Sequence, residues 1–203
     1  MKDEIPLIRL VDDEPATRTA LERLLRAAGY RTETFASAGD FLASKSANEP
    51  GCLVLDVHMP GVDGLELQRI LQGSAEALPI IFLTCHGTIR RSVEAMKAGA
   101  VDFLTKPVEM GDLLQAIQHA LERDRSQRED RRERAELRRR YDSLTPRERE
   151  VLVLVVAGHL NKQIAGQLGT SEQNIKFHRG HVMEKMEAES LADLVRMAER
   201  MHL

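Results

Sequence analysis

Five polar residues that could share one reaction stand at the ends of short apolar runs. Asp12-Asp13 follow IPLIRLV, Asp56 closes CLVLD, Thr84 follows PIIFL, and Lys106 lies in Thr105-Lys106-Pro107 after VDFL at Val101–Leu104. Three carboxylates brought together repel one another and invite a hard divalent cation. Mg2+ suits carboxylates plus phosphate oxygens. With the charge neutralised, one carboxylate can attack a phosphoryl group as a nucleophile. Lys106 would then supply positive charge to the phosphoryl oxygens and Thr84 a hydroxyl donor. Taken singly, an aspartate at a strand end is most often a cap or turn residue, and a lone lysine is surface. The combination carries weight because every member falls at a strand carboxyl end, in order, within one stretch of chain.

The elements that would position them alternate regularly. Strands are expected at Ile5–Val11, Arg31–Phe35, Cys52–Asp56, Pro79–Leu83 and Val101–Leu104. Helices are expected at Pro15–Ala28, Ala38–Ser46, Gly64–Leu71, Ile89–Ala98 and from Met110 onward. Five β-α units predict a doubly wound, five-stranded parallel sheet of flavodoxin-like type with helices on both faces. In such a sheet the ligand site lies beyond the carboxyl ends of the strands, where the five residues fall.

After the apolar face of Leu113, Leu114, Ile117, Ala120 and Leu121, the chain becomes almost purely charged. From Asp124 to Arg140 only Ala135 and Leu137 are apolar. Good helix formers and opposite charges three or four apart predict one long helix, read here as a solvated connector in preference to a coiled-coil seam. From Leu144 the pattern is helical. Thr145-Pro146-Arg147-Glu148 is a capping box with proline at the first helical position. That cap and Gly158 make Val151–Ala157 a buried helix although its composition suits a strand. Three more helices are expected at Asn161–Leu168, from Thr170-Ser171-Glu172 to Met186, and at Ser190–Met201. The predicted domains are 1–122, a helical linker at 123–143, and an all-α four-helix domain at 144–203.

Composition fits a folded, water-soluble chain: 203 residues, 42% hydrophobic and 30% charged. No apolar run is long enough to span a membrane, and no leader segment is recognised, so the expected location is the cytoplasm. Cys52 and Cys85 offer neither a disulfide framework nor a metal spacing. Charge is uneven. Residues 1–122 hold 12 Lys/Arg against 18 Asp/Glu, residues 123–143 hold 9 against 6, and residues 144–203 hold 8 against 8. A neutral C-terminal domain argues mildly against binding to polyanions.

The segments LVDDE, LDVHMPGVDG, FLTCHGT and MKAGAVDFLTKP occur in the order and spacing of response-regulator receiver domains, which residues 5–122 resemble throughout. The resemblance implies that Asp56 accepts a phosphoryl group from a sensor histidine kinase. It implies that Asp12, Asp13, Asp56 and the main-chain carbonyl of His58 hold Mg2+, and that Thr84 and Lys106 contact the phosphoryl group. It further implies that Lys106-Pro107 is a cis bond and that Phe103 is the switch aromatic beside Thr84. Cys85 stands where that family usually has a smaller residue. Arg90-Arg91 opens the helix after the fourth strand, on a face such receivers use to dimerise.

Residues 144–203 resemble the helix-turn-helix of the LuxR/FixJ/NarL type, carried by LTPREREVL, AGHLNKQIAGQLGTSEQNIKFHRGHVMEKM and SLADLVRMA. With the receiver, the resemblance is to the FixJ branch of two-component response regulators. The second helix of the motif would enter the major groove of double-stranded DNA. Ile175, Val182 and Met186 mark its buried face, and Ile164, Ala165 and Leu168 that of its partner. Asn174, Lys176, Phe177 and Gly180 are candidates for reaching bases; Lys162, Gln163, His178, Arg179 and Lys185 for phosphates. Gly180 inside a helix costs about 1 kcal/mol against alanine, which close approach to DNA would explain. The cations gather on this helix, which offsets the neutral domain charge. The last helix, through Leu191, Leu194, Val195 and Ala198, is the expected dimer helix.

The expected function is therefore a transcriptional regulator that dimerises when Asp56 is phosphorylated, with RNA polymerase a further candidate partner. It is not expected to be an enzyme beyond its own phosphorylation and dephosphorylation. Two other readings remain. A phosphohydrolase of the haloacid-dehalogenase type would want a second acid two residues after the nucleophile, where His58 stands. A phosphorylation-independent DNA-binding regulator would carry the acidic pocket as a vestige.

Overall fold

The structure is a computed structural model that describes residues 5–44, 49–72, 78–85, 89–201 and 203, except the side chains of residues 89 and 90. The chain divides into two compact units, Met1–Gln127 and Arg128–Leu203. In the first, β1 (Leu7–Val11), β2 (Arg31–Phe35), β3 (Gly51–Asp56), β4 (Ile80–Thr84) and β5 (Asp102–Thr105) form one sheet in the order β2-β1-β3-β4-β5. Every neighbouring pair is parallel. The order reverses between β1 and β3, and that crevice lies at their carboxyl ends.

Side chains alternate across the central strands, as the strand period of two demands. Leu53, Leu55 and Phe82 join one core with Phe35, Phe41 and Leu67. Cys52, Val54, Ile81 and Leu83 join the other with Leu21, Leu25, Leu113, Ile117 and Ala120. The first core lies under α2 (Ala38–Ala43), α3 (Gly64–Gln72) and α4 (Ile89–Lys97); the second under α1 (Pro15–Ala27) and the start of α5 (Met110–Asp142). Helix α2 is shorter than expected, ending at Ala43, and Ser46 lies outside the described residues.

Arg9 and Asp124 are two of the charged residues buried among the described residues of this unit. Arg9, at the centre of β1, is fully buried; its Nη1 donates to the Leu7 carbonyl at 3.0 Å and its Nη2 to that of Glu49 at 2.9 Å. Asp124 on α5 is 2% exposed and accepts the Gly51 N–H at 2.9 Å. This corrects the reading of Asp124–Arg140 as a uniformly solvated run. Gly51 permits the crowding, because a β-carbon there would stand 1.9 Å from the Leu7 carbonyl oxygen. Burial pushes the neighbouring Cys52 thiol up to about 12, with Arg9 opposing and Asp124 adding to the rise. That thiol is a packing residue rather than a nucleophile.

Helix α5 runs unbroken for 33 residues. Its last turns belong to the second unit, where Tyr141 packs on the core and Leu137 is 7% exposed. The arginines Arg138 and Arg149 lie over the Tyr141 ring at 5.6 and 5.0 Å. The remaining helices are α6 (Pro146–Val156), α7 (Asn161–Leu168), α8 (Glu172–Met186) and α9 (Leu191–Arg200). The capping box at Thr145 and Glu148 is present in both directions, so VLVLVV is helical and buries Val151, Leu152 and Val155 while Val153 stays outside. Ser171 and Ser190 cap α8 and α9 through Asn174 N and Asp193 N. Gly169 ends α7 at φ 63°, a left-handed conformation that glycine adopts without a steric penalty. Glu187 takes the same conformation after α8 without that freedom, and Arg140 holds its carboxylate at 2.7 Å. No helix among the described residues is long and apolar enough to cross a membrane.

Candidate functional sites in the acidic pocket and on the eighth helix

The acidic pocket is assembled by strand ends. Asp56 is the last residue of β3, Thr84 the last of β4, Asp12 follows β1 directly, and Lys106 follows β5. Asp12, Asp13 and Asp56 each bring one oxygen to within 4.8 Å of the others. Asp12 is fully buried and Asp56 5% exposed, whereas Asp13 faces solvent. Lys106 Nζ lies 2.7 Å from Asp12 Oδ2 and 3.2 Å from Asp56 Oδ1. Its backbone N–H donates to the Thr84 carbonyl at 2.7 Å, which ties the lysine loop to the end of β4. Asp12 Oδ1 accepts the Glu14 N–H at 2.9 Å, so the same carboxylate also orders the entry to α1.

The two sides of the Lys106–Asp56 contact differ in quality. The separation is that of an ion pair, yet Oδ1 of Asp56 is buried without a well-aligned hydrogen bond. We read it as an electrostatic contact, with the directional bond going to Asp12. Burial pushes the Asp56 carboxyl up from the ordinary range, and Asp12 adds to this against the pull of Lys106. Burial on its own would lower the Lys106 ammonium; the bond to Asp12 and the two negative charges reverse that, and it is raised. The pocket thus keeps Lys106 charged beside the Asp56 carboxylate, which suits attack on an electrophile carrying negative charge.

Around this centre, Phe103 is half-buried on β5 with its ring centroid 6.0 Å from that of Phe82. The Lys106-Pro107 bond is cis. Cys85 is exposed. His58 is exposed, and its Nε2 lies 2.6 Å from Arg91 Nη1, so the imidazole accepts from the guanidinium. The side chain of Arg90 lies outside the described residues. Sequence reasoning passed over Gly64. A β-carbon there would meet the Asp56 carbonyl oxygen at 2.3 Å, and its N–H donates to the Val57 carbonyl at 3.0 Å. The glycine closing PGVDG was the available signal.

In the second unit, Ile175, Val182 and Met186 of α8 and Ile164 and Ala165 of α7 are buried in one core. Lys162, Gln163, Asn174, Lys176, Phe177 and Gly180 are exposed, Phe177 by 59%. Nothing lies within 4 Å of a β-carbon built on Gly180, so packing inside the chain does not require a glycine there. Arg179 Nη1 donates to Asn161 Oδ1 at 3.1 Å, joining α8 to the start of α7. His178 is half-buried, with Nδ1 enclosed. Lys185 is turned onto Glu148 of α6 at 2.7 Å. On α9, Leu194 and Ala198 are buried in the domain's own core. Two of the four residues expected at a dimer contact are therefore already used, because the apolar stripe of a short helix is consumed in closing a small core.

A parallel sheet bearing a strand-end acidic pocket, followed in the same chain by a helix-turn-helix, defines a DNA-binding transcription regulator with a receiver. The chain belongs to the two-component response regulators: residues 8–118 match the response regulator receiver domain, and residues 142–198 match the bacterial regulatory proteins of the luxR family. It is 46% identical to nodulation protein W of Bradyrhizobium diazoefficiens, over 95% of this chain and 85% of that protein. It is 45% identical to the response regulator protein TodT of Pseudomonas putida, over 99% and 88%. The transcriptional regulatory protein FixJ of Bradyrhizobium diazoefficiens is 40% identical over 95% and 94%. Among solved structures, the response regulator StyR superposes with a TM-score of 0.86 at 44% identity, covering 97% of this chain and all 100% of that one. Full-length FixJ from B. japonicum gives 0.59 at 39% identity, with 97% of each chain covered.

Proposed function

We propose that Asp56 is the phospho-acceptor of this regulator and that its phosphorylation drives dimerisation and sequence-specific binding to double-stranded DNA. The observation that carries the reading is the placement of Lys106 Nζ between Asp12 and Asp56, at 2.7 and 3.2 Å. Asp56 attacks the phosphoryl group of a sensor histidine kinase through its carboxylate. Lys106 leaves Asp12 to follow the new negative charge, and the Thr84 hydroxyl donates to a second phosphoryl oxygen. Phe103, half-buried beside Phe82, repacks into the volume that Thr84 vacates.

Three carboxylates with oxygens within 4.8 Å of one another, one of them exposed, are a donor set that fits Mg2+. Asp12, Asp13, Asp56 and the main-chain carbonyl of His58 would hold it. When bound, the ion supplies charge neutralisation for the incoming phosphoryl group. Beyond its own phosphorylation and dephosphorylation the chain has no enzymatic role in this reading, and it acts in the cytoplasm. Receiver function resides in residues 1–122, the connection in 123–143 and DNA binding in 144–203. Lys162, Gln163, His178 and Arg179 face phosphates, and Asn174, Lys176, Phe177 and Gly180 face bases. RNA polymerase is the partner through which bound dimers would act.

Sedimentation velocity of the wild type and of Asp56→Asn, each with Mg2+ and acetyl phosphate, tests this. A shift to dimer in the wild type alone is expected. The same behaviour in both proteins would overturn it in favour of phosphorylation-independent DNA binding.

A further inference from the structure

Glu148 is the third residue of α6, and its side chain is 3% exposed. Its own helix requires only one contact from it, the Thr145 N–H donated to Oε2 at 2.8 Å. The other partners come from α8. Lys185 Nζ lies 2.7 Å from Oε2, and His181 Nδ1 lies 3.4 Å from Oε1. The His181 ring in turn meets Phe177 edge-on, with centroids 4.2 Å apart. Lys185 and His181 are four residues apart and share one helix face. Two contacts a turn apart to one fixed carboxylate set both the roll of α8 about its axis and its position along it. They add to the apolar face of Ile175, Val182 and Met186, which is already held in the core. Roll matters here because successive residues of a helix are about 100° apart, so a modest rotation moves different side chains to the groove.

We propose that Glu148 is a positioning residue for DNA readout: it clamps α8 through Lys185 and His181 in the roll that presents Asn174 and Phe177 to the bases, and it withdraws Lys185 from phosphate. The proposal rests on the DNA-binding reading of α8 and deepens it. It makes Lys185 an internal strut, although its residue type and helix position suggest a phosphate contact.

The test uses the full-length chain, a duplex selected by the wild type from a random pool, and an unrelated duplex of equal length. Affinities for both are measured against salt. Lys185→Met is expected to lower the ratio of selected to unrelated affinity by about tenfold. Its salt slope on the unrelated duplex should match that of the wild type, because no phosphate contact is lost. Glu148→Gln keeps an oxygen for the Thr145 N–H but removes the negative charge that draws the Lys185 ammonium onto α6. It should lower the ratio similarly and steepen the slope on the unrelated duplex by about 1. A slope made shallower by about 1 in Lys185→Met would place that amine on phosphate and overturn the proposal. So would an unchanged affinity ratio in Lys185→Met. If thermal melting shows Glu148→Gln to be unfolded, Lys185→Met decides alone. A wild type that selects no sequence would count against the DNA-binding reading itself.

Discussion

A β-carbon on residue 64 would stand 2.3 Å from the backbone carbonyl oxygen of Asp56, so α3 can begin where it does only with Gly64 at that position. The obstructing atom is backbone and cannot rotate away. Gly64→Ala is expected to destabilise the first unit by about 1–3 kcal/mol through overpacking. It should also slow phosphorylation from acetyl phosphate, because the strand end carrying Asp56 must shift. Urea unfolding and the rate of phosphoryl incorporation check the two effects separately. A variant of wild-type stability and rate would show that the approach relaxes at no cost.

Asp56 itself should be a stability liability. Burial raises its folded-state pKa, so the unfolded chain ionises first as pH rises. Stability is therefore full below the ordinary carboxylate range and is lost as pH climbs through the raised value. Asp56→Asn should abolish phosphorylation and raise the thermal midpoint at neutral pH by about 2–4 °C. The difference from wild type should shrink toward acid pH, where both are uncharged. A midpoint lowered at neutral pH would contradict this.

Mg2+ should stabilise the protein through the three carboxylates. A concentration a hundredfold above the dissociation constant contributes about 2.7 kcal/mol when only the folded state binds. Asp13 is exposed, so Asp13→Asn removes a ligand with little disturbance of packing. Calorimetry with and without Mg2+ should show a rise in the wild-type midpoint that is reduced in this variant. Equal rises would remove Asp13 from the ligand set.

Glu148 predicts acid sensitivity in the DNA-binding unit. Burial would raise its carboxyl, but the Lys185 ammonium and the Thr145 backbone and hydroxyl outweigh burial and hold it at about 2, against an ordinary 4.5. A lowered folded-state value contributes stability above the ordinary pKa and loses it as pH falls through the lowered one. Helicity followed by circular dichroism is the measure. Glu148→Gln should flatten the decline in stability between pH 4.5 and about 2 relative to wild type. Parallel pH profiles would show the carboxylate contributes nothing.

Asp124→Ala should cost about 1–3 kcal/mol, because it leaves the buried Gly51 N–H without the acceptor it has now. Amide exchange at Gly51 reads this locally: a large acceleration is expected, and unchanged protection would show another acceptor in place.

Which residues could react was legible early because strand period and strand-end position are local properties. Asp12, Asp56, Thr84 and Lys106 follow from counting along apolar runs, and the capping box at Thr145 follows from four consecutive residues. The five strands and the positions of the helices of the second unit were legible for the same reason. Boundaries moved by a residue or two, as at β5, where pairing with β4 and not composition fixes the ends.

The interior charges were not legible, and neither was the use made of Lys185. Nothing local distinguishes Arg9 in LIRLV from a surface arginine, or Asp124 from the charged run it opens. Each is buried by partners 40 or 73 positions away, Glu49 for Arg9 and Gly51 for Asp124. Lys185 meets Glu148 across 37 residues, Leu194 is claimed by a core assembled from five helices, and Ala198 is buried beside it on α9. Propensity and periodicity act over a few residues, so the pocket residues, their order along the chain and the elements that carry them are readable without the fold. Which charges go inside and which cations are drawn into pairs depends on desolvation and on atoms that meet when the chain folds.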